Sequence, residues 1–221
     1  MMWSETFSTD IIKEIRTVDT IHHRPTHASA FLVWYAKPTR DVKNVIELGS
    51  GTGIVALSMA KLYNVRVDGV ELQPHLCELA QKGAELNGVS ELVKFYNIDV
   101  RDVKKHFRPE SYDMVVSNLP FHIGRESPYE EKKISKSATL ELIDAFIEAT
   151  AYLLKNKGTF VFVCSPKITV YMIEHLALKK LIVQRLGILY GAPGKNPKIV
   201  ALRGKKNGGY ELVITSHYAN A

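Results

Sequence analysis

Short apolar runs alternate with amphipathic stretches along most of this chain. Runs rich in apolar and β-branched residues predict strands at 45–48, 65–72, 92–98, 112–117, 159–164, 181–190, 197–203 and 210–216. Apolar residues spaced three or four apart predict helices at 52–63, 74–86, 138–154 and 168–180. Strands that alternate with helices favour right-handed βαβ crossovers and a parallel sheet with helices on both faces. Short turns join the last strands, so one edge of the sheet is expected to be antiparallel.

Several predicted elements begin or end at residues that favour a break. Pro74 stands at the preferred first turn of a helix, and Asn87-Gly88 is a common way to end one. Residues 122–137 form a polar stretch that is too long and too charged for a tight turn. This stretch is expected to be a functional loop.

Composition sets the broad class of protein. A chain of 221 residues that is 46% hydrophobic can fold as one domain without disulfides or metal. Cys77 and Cys164 lie far apart and show no zinc or disulfide spacing, so a reducing, cytoplasmic setting and no metal are expected. No run is long and apolar enough to suggest a membrane partner. The formal charge of +6 favours a polyanionic partner.

A glycine-rich segment, residues 47–53, follows the first predicted strand. Gly49, Gly51 and Gly53 allow a sharp turn and a close approach of the backbone to a ligand. Their G-x-G-x-G spacing differs from the dinucleotide pattern G-x-G-x-x-G, and the Gly-Lys-Ser/Thr ending of a phosphate loop is absent. Ligands of open parallel sheets bind beyond the carboxyl ends of the strands, so this segment predicts the position of the pocket.

Carboxylates end the next two predicted strands. Glu71 is placed to accept hydrogen bonds from ribose hydroxyls, and Asp99 to accept one from an adenine amine. Glu47, just before the glycines, would meet either the positive end of a cofactor or backbone amides of the loop. A simpler interpretation is that Glu71 and Asp99 cap the helices that follow them. Their shared position at strand ends favours the pocket.

Asn118-Leu119-Pro120-Phe121 follows the fourth predicted strand and indicates what the pocket would hold. The side-chain oxygen of Asn118 and the backbone carbonyl of Leu119 can each accept a hydrogen bond from one N–H of a planar amine. Pro120 stiffens the turn, and Phe121 can stack on a base. The alternative is a tight turn with Phe121 packed in the core. The position beside the predicted pocket favours catalysis, chiefly by positioning the substrate.

Because of these two motifs, the chain resembles the class I S-adenosylmethionine-dependent methyltransferases. The resemblance covers most of its length, residues 24–216. Residues 47–53 are similar to their cofactor loop, and residues 118–121 to the (Asn/Asp)-Pro-Pro-(Tyr/Phe) signature of amine methyltransferases. The resemblance implies S-adenosylmethionine as cofactor. It also implies an α/β, Rossmann-like fold with a mostly parallel seven-stranded sheet, one antiparallel edge strand and helices on both faces.

Within this class the chain resembles in particular the bacterial tRNA adenine-N6 methyltransferases that act on valine tRNA. Residues 25–32, 125–139 and 195–200 are similar to three further segments of that family. Leu119 departs from the usual first proline, as it does in ribosomal RNA adenine dimethyltransferases, and His27 replaces the family's aspartate. Transfer RNA and ribosomal RNA therefore both stay open as substrates.

The resemblance implies two sets of binding residues and a division of the chain. The cofactor set is Glu47, Gly49, Gly51, Gly53, Glu71, Leu72, Asp99, Val100, Arg24 and Thr26. The set expected to contact RNA phosphates is Arg125, Lys132, Lys133, Lys136, Lys195 and Lys198. A basic run of this kind is equally compatible with a solvated surface. Residues 1–35 would form an N-terminal helical or lid segment, and residues 36–221 the methyltransferase domain.

Together these features predict an enzyme that methylates the exocyclic amine of adenine in RNA, with tRNA as the first candidate. The protein is expected to be a monomer or a small homo-oligomer. The alternatives are a protein glutamine N5-methyltransferase, an rRNA or DNA adenine methyltransferase, and a nucleotide- or RNA-binding module without catalysis. The glycine spacing argues against an oxidoreductase of the NAD type.

Overall fold

A computed structural model of the chain describes residues 6–18, 26–119 and 131–219, with only the backbone for residues 131–139. The strands are β1 (Asn44–Leu48), β2 (Arg66–Glu71), β3 (Val93–Asn97), β4 (Tyr112–Asn118), β5 (Leu154–Cys164), β6 (Leu181–Tyr190), β7 (Ile199–Lys206) and β8 (Val213–Tyr218). The helices are α1 (His27–Tyr35), α2 (Ile54–Tyr63), α3 (Pro74–Asn87), α4 (Val103–His106), α5 (Glu131–Leu153) and α6 (Thr169–Leu178). None of the helices in these ranges has the length and apolar character needed to cross a membrane.

These strands form one sheet in the order β3-β2-β1-β4-β5-β7-β6-β8. β7 runs antiparallel to both of its neighbours, and the other neighbouring pairs are parallel. The predicted α/β fold is confirmed, with two corrections. The sheet has eight strands rather than seven, and its antiparallel strand lies inside the sheet rather than at an edge. A short turn folds β7 back into the space between β5 and β6, and β8 then pairs with the outer side of β6.

The sheet separates two apolar cores, because successive side chains of a strand point to opposite faces. In β4, Met114 and Val116 pack in the core that contains α1 and α2. Val115, between them, packs in the core that contains α5 and α6. β5 shows the same alternation, with Val161 on the first face and Phe162 on the second. The central strands are buried on both faces, which explains why their sequences read as continuous apolar runs.

The helix after β4 is longer than the sequence pattern predicts. α5 begins at Glu131, whereas the pattern predicts a polar loop up to residue 137. Lys132, Lys133 and Lys136 therefore lie on the first turns of a helix. Lysine and glutamate are good helix formers, so a polar run can extend an amphipathic helix whose later turns are buried. β5 is also longer than predicted, since it begins at Leu154 and contains Gly158.

Residues 6–18 pack on the same side of the sheet as α1 and α2. Phe7 is buried, and its ring centroid lies 5.2 Å from that of Phe31 in α1. Asn87, at the end of α3, binds both backbone polar groups of Arg16. Its Oδ1 accepts from the Arg16 N–H at 3.0 Å, and its Nδ2 donates to the Arg16 carbonyl at 2.6 Å. This segment thus shares a core with the rest of the domain, and a boundary at residue 36 stays a prediction.

Candidate functional site

The glycine loop joins β1 to α2 at the carboxyl edge of the sheet. Gly49, Gly51 and Gly53 have φ angles of 73°, 55° and 83°, in the left-handed region that glycine enters without strain. The Gly49 N–H donates to the Val70 carbonyl at 2.8 Å, which ties the loop to β2. A Cβ on Gly53 would lie 2.7 Å from Phe95 Cζ, whereas a Cβ on Gly51 would meet no atom within 4 Å. The loop is therefore tightly packed at Gly53 and borders open space at Gly51.

Two buried glutamates hold this loop in place. Glu71, the last residue of β2, accepts from the Gly51 N–H at 2.8 Å and from the Gln73 N–H at 2.9 Å. Glu47 accepts from the Ala56 N–H of α2 at 2.9 Å. Burial raises the pKa of Glu47 well above its usual range, despite that hydrogen bond. This partner is a backbone amide, as one of the two expectations for Glu47 had it, but it lies in α2, just after the loop.

The segment after β3 brings a third carboxylate to the same edge. Asp99 accepts from the Arg101 N–H at 2.9 Å and forms an ion pair with the Arg101 guanidinium. The hydrogen bond from that side chain holds the pKa of Asp99 below its usual range. Val100 is buried, whereas the side chain of Leu72 is 61% exposed. Asp99 thus caps the 3-10 turn that follows it. Its oxygens can still accept from a ligand, because each carboxylate oxygen accepts more than one hydrogen bond.

Asn118 is the last residue of β4, which lies between β1 and β5. Just before it, Ser117 donates to the Leu48 carbonyl at 2.7 Å, and just after it the Leu119 N–H donates to the Val163 carbonyl at 2.9 Å. The Leu119 side chain is fully buried. The backbone on both sides of Asn118 is therefore anchored to neighbouring strands. The Asn118 Oδ1 atom is buried and has no hydrogen-bond partner among the described residues.

The other expected binding residues are described only in part. Arg24, Pro120, Phe121 and Arg125 lie outside the described residues, as do the side chains of Lys132, Lys133 and Lys136. Thr26 caps α1, where its Oγ1 accepts from the Ser29 N–H at 3.3 Å. Lys195 and Lys198 are exposed on the turn between β6 and β7. That turn is at the same edge of the sheet as the glycine loop, because β6 runs parallel to β1.

Two groups at this edge were not singled out from the sequence. Ser50, inside the glycine loop, has a buried Oγ without a hydrogen-bond partner among the described residues. Lys167 is exposed on the 3-10 turn that follows β5, next to the strand end that carries Asn118. The position of Ser50 within the glycine motif is a signal that could have identified it. Lys167 has no such signal, because its proximity to Asn118 depends on the order of the strands.

Comparison with known families identifies the class of protein to which this site belongs. The sequence model of the family described as methyltransferase small domain matches residues 22–184, well over half of the chain. The chain belongs to the methyltransferase small domain family. The resemblance to S-adenosylmethionine-dependent methyltransferases drawn from residues 47–53 and 118–121 is thereby confirmed, and the chain is a methyltransferase domain with the cofactor that this resemblance implies.

Individual relatives agree with this family. The chain is 29% identical to the tRNA1(Val) (adenine(37)-N6)-methyltransferase of Yersinia pestis over 129 residues, which cover 57% of this chain and 52% of that protein. It therefore spans about half the length of the curated relatives it matches. A predicted O-methyltransferase from Agrobacterium tumefaciens has a TM-score of 0.69 at 15% identity, covering 88% of this chain and 87% of that one. A geranyl diphosphate methyltransferase in complex with SAM has a TM-score of 0.59 at 12% identity, covering 80% and 84%. At these identities the two solved structures show the fold alone.

The methyltransferase small domain of this chain offers groups that suit its cofactor. A Cβ on Gly51 would enter open space, and the carboxylate of Glu71 binds the Gly51 N–H. Asp99 follows the neighbouring strand, β3, at the same edge. Carboxylate oxygens accept from hydroxyl and amino groups, which are the donors that a nucleoside carries. The residues present therefore fit S-adenosylmethionine, and the role of each one stays a prediction.

Proposed function

We propose that this domain transfers a methyl group from S-adenosylmethionine to the exocyclic amine of an adenine in RNA, with tRNA as the first candidate. The Asn118 amide oxygen carries the proposal. It is a buried acceptor without a partner among the described residues, at the end of the strand next to the one that leads into the glycine loop. Leaving a buried acceptor unsatisfied costs about 1–3 kcal/mol, so an amine donor placed there would be bound favourably.

Each residue of the site would have a role that depends on its position: one group would bind the cofactor and the other the amine. Gly51 would let the cofactor approach the backbone, while Glu71 and Asp99 would accept hydrogen bonds from its hydroxyl and amino groups. The bound cofactor supplies an activated methyl group on a sulfonium. Asn118 Oδ1 and the Leu119 carbonyl would each accept a hydrogen bond from one N–H of the amine, so that the nitrogen lone pair faces the methyl carbon. Catalysis would then come chiefly from orientation.

The positive net charge of the chain and the name of one relative both support RNA as the substrate. The relative in Yersinia pestis is named as acting on an adenine of tRNA1(Val). The chain carries a formal charge of +6, and Lys195 and Lys198 are exposed at the edge of the candidate site. Such lysines would contact phosphates and position the RNA without reading its sequence. Phe121 is proposed to stack on the base, and Arg125, Lys132, Lys133 and Lys136 to add phosphate contacts. A cytoplasmic location belongs to the same proposal.

The same pair of acceptors suits other planar amines. Adenine in rRNA or DNA and the side-chain amide of a protein glutamine each present an NH2 group. Transfer RNA is the first candidate because the curated relative is named for it, at 29% identity over about half of that protein's length. A module that binds RNA without catalysis would leave the buried Asn118 oxygen without an evident purpose.

Labelled methyl transfer to total tRNA, rRNA, DNA and protein, followed by mass spectrometry of the nucleosides, tests the proposal. The expected product is N6-methyladenosine in tRNA. Asn118→Ala should lower the transfer rate by roughly 100-fold or more, as the loss of one positioning hydrogen bond does in other enzymes. Its affinity for S-adenosylmethionine, measured by calorimetry, should stay nearly unchanged.

Asn156→Ala is the matched control, because Asn156 is exposed near the start of β5, at the opposite edge of the sheet. It should keep both transfer and cofactor binding. Methyl incorporation only into protein glutamine would contradict the RNA proposal. Equal losses of transfer and cofactor affinity in Asn118→Ala would assign Asn118 a structural role instead.

A further inference from the structure

β8 forms one edge of the sheet and, within the described residues, pairs only with β6. An edge strand leaves backbone N–H and C=O groups free to pair with another chain. Proteins usually protect such an edge with charged residues, proline or a bulge. Residues 212–219 contain no Asp, Glu, Lys, Arg or Pro, and the pairing of β8 with β6 shows no register shift. This edge therefore lacks the common protections.

Large apolar side chains are exposed along the same strand. Within β8 the exposed fractions are 54% for Val213, 61% for Ile214 and 48% for Tyr218, and Leu212, just before the strand, is 47% exposed. The opposite edge of the sheet differs, because β3 carries the exposed Lys94. Solvent exposure of a neutral, apolar edge is unfavourable, so β8 has the character of a surface that a partner covers.

We propose that β8 is the interface of a homodimer in which two copies pair their β8 strands antiparallel and join their sheets. A two-fold axis at Ser216, perpendicular to the sheet, places Ile214 opposite Tyr218 of the second copy on each side of the axis. In the pairing with β6, Ile214, Ser216 and Tyr218 align with Leu186, Ile188 and Tyr190. Alternate residues share one face, so Ile214 and Tyr218 meet on the same face of the joined sheet. Pairs of an aromatic and a β-branched residue stabilise neighbouring strands.

Charge favours a second copy over a polyanionic partner. Contacts to RNA or to an anionic membrane need lysine or arginine, and residues 212–219 have neither. A second copy supplies an extended strand with the same neutral, apolar edge, and no charge opposes another across the axis. Antiparallel pairing turns the two copies in opposite directions. The two candidate sites would then open at opposite edges of the joined sheet and stay accessible.

Sedimentation velocity of the full chain over a range of concentrations tests the proposal. The expected result is a reversible dimer with twice the 24.8 kDa mass of one chain. Ser216→Lys and Ser216→Glu each place like charges opposite one another at the axis, which should raise the dimer dissociation constant roughly tenfold or more. An equal mixture of the two variants should form dimers again, because opposite charges then meet. Ser90→Lys is the control, since Ser90 is exposed just before β3 and should leave the dimer intact.

A chain that stays monomeric at every concentration overturns the proposal. A dimer that tolerates both Ser216 variants also overturns it, because its interface would then lie elsewhere. If circular dichroism shows that the Ser216 variants are unfolded, Ile214→Ser provides a second test. That change keeps β8 uncharged and removes the expected partner of Tyr218, so it should weaken the dimer as well.

Discussion

Leu119 departs from the signature of the amine methyltransferases and still keeps the backbone carbonyl that the proposed chemistry needs. Amine methyltransferases commonly carry proline at this position, and a proline has no N–H to donate. Here the Leu119 N–H donates to Val163 at 2.9 Å, and the side chain is fully buried with α5 and α6. The backbone carbonyl, which the proposed chemistry uses, exists in either residue. Leucine therefore keeps that acceptor and adds a strand hydrogen bond and a core contact.

Restoring the common signature should accordingly destabilise this protein. Leu119→Pro removes the strand hydrogen bond and part of a buried side chain, so the free energy of unfolding should fall by about 2–4 kcal/mol. Urea unfolding measures the change. Leu119→Met keeps the N–H and most of the volume and should cost less than about 1.5 kcal/mol. Equal stability of Leu119→Pro and the parent chain would show that neither interaction matters.

Glu47 gives a prediction about pH. Burial raises its pKa in the folded protein well above the ordinary value of 4.5, so the native state holds this proton more tightly than the unfolded state does. The contribution of protonated Glu47 to the free energy of unfolding is fully present below pH 4.5. It is lost as the pH rises through the pKa that Glu47 has in the folded protein. Glu47→Gln keeps an acceptor for the Ala56 N–H but does not ionise.

The stability of Glu47→Gln relative to the parent chain should therefore increase as the pH rises above 4.5. Urea unfolding at several pH values, without cofactor, measures the difference. Parallel stability curves for the two proteins would mean that Glu47 ionises as easily when folded as when unfolded. Glu91→Gln, at an exposed position before β3, is the control and should change the curve little.

At the scale of elements, α3 shows how one side chain joins a helix to a distant segment. The helix begins at Pro74 and is capped by Gly88, whose φ is 67°, as its sequence predicts. Its last residue, Asn87, is buried and binds the backbone of Arg16 through both atoms of its amide. Residues 6–18 have little regular structure of their own. Their position therefore depends on this clamp and on buried apolar side chains such as Phe7.

Asn87→Ala should release that segment without unfolding the domain. The change removes two hydrogen bonds to the half-buried backbone of Arg16 and one to the Gly83 carbonyl, so the free energy of unfolding should fall by about 1–3 kcal/mol. Hydrogen exchange, read by mass spectrometry, should become faster in residues 6–18 than in the strands. Gln81→Ala, at an exposed site on the same helix, should change neither measurement. Unchanged exchange in residues 6–18 would mean that Phe7 and its neighbours alone hold the segment.

For the whole molecule, sheet polarity gathers the candidate site at one edge. Gly51, Asp99, Asn118 and Lys195 come from distant parts of the sequence, and each follows or ends a strand that points the same way. Parallel strands are the reason, because crossover helices return the chain to the opposite edge before each new strand. Lys195 and Lys198 lie at the site edge, whereas Lys43 and Lys205 lie at the other.

This polarity predicts which lysines contribute to RNA binding. Lys195→Gln combined with Lys198→Gln should weaken binding of tRNA and reduce the slope of log affinity against log salt by about two, roughly one for each phosphate that is no longer neutralised. The affinity for S-adenosylmethionine should not change. The matched control is Lys43→Gln with Lys205→Gln, which removes the same charge at the opposite edge. Equal effects of both pairs would indicate a response to net charge alone.

Local patterns in the sequence were enough to predict the class of fold and the expected position of the pocket. Apolar runs alternating with amphipathic stretches determine a parallel sheet covered by helices, since burial on both faces demands such runs. The Gly49, Gly51 and Gly53 spacing and the Asn118 tetrapeptide are local signals, because their geometry depends on a few neighbouring residues. The end of α3 at Gly88 is local for the same reason.

Which elements lie next to one another could be established only from the folded chain. Three features depend on the order of strands: β7 lies inside the sheet, β8 adds an edge strand, and Lys167 lies near the strand end that carries Asn118. Strand order follows from packing between segments that are distant in sequence, and no local pattern records it. The early start of α5 has a related cause, because polar residues join a helix when later turns are buried. The sequence therefore indicated candidate site residues, and contacts across the sheet set their relative positions.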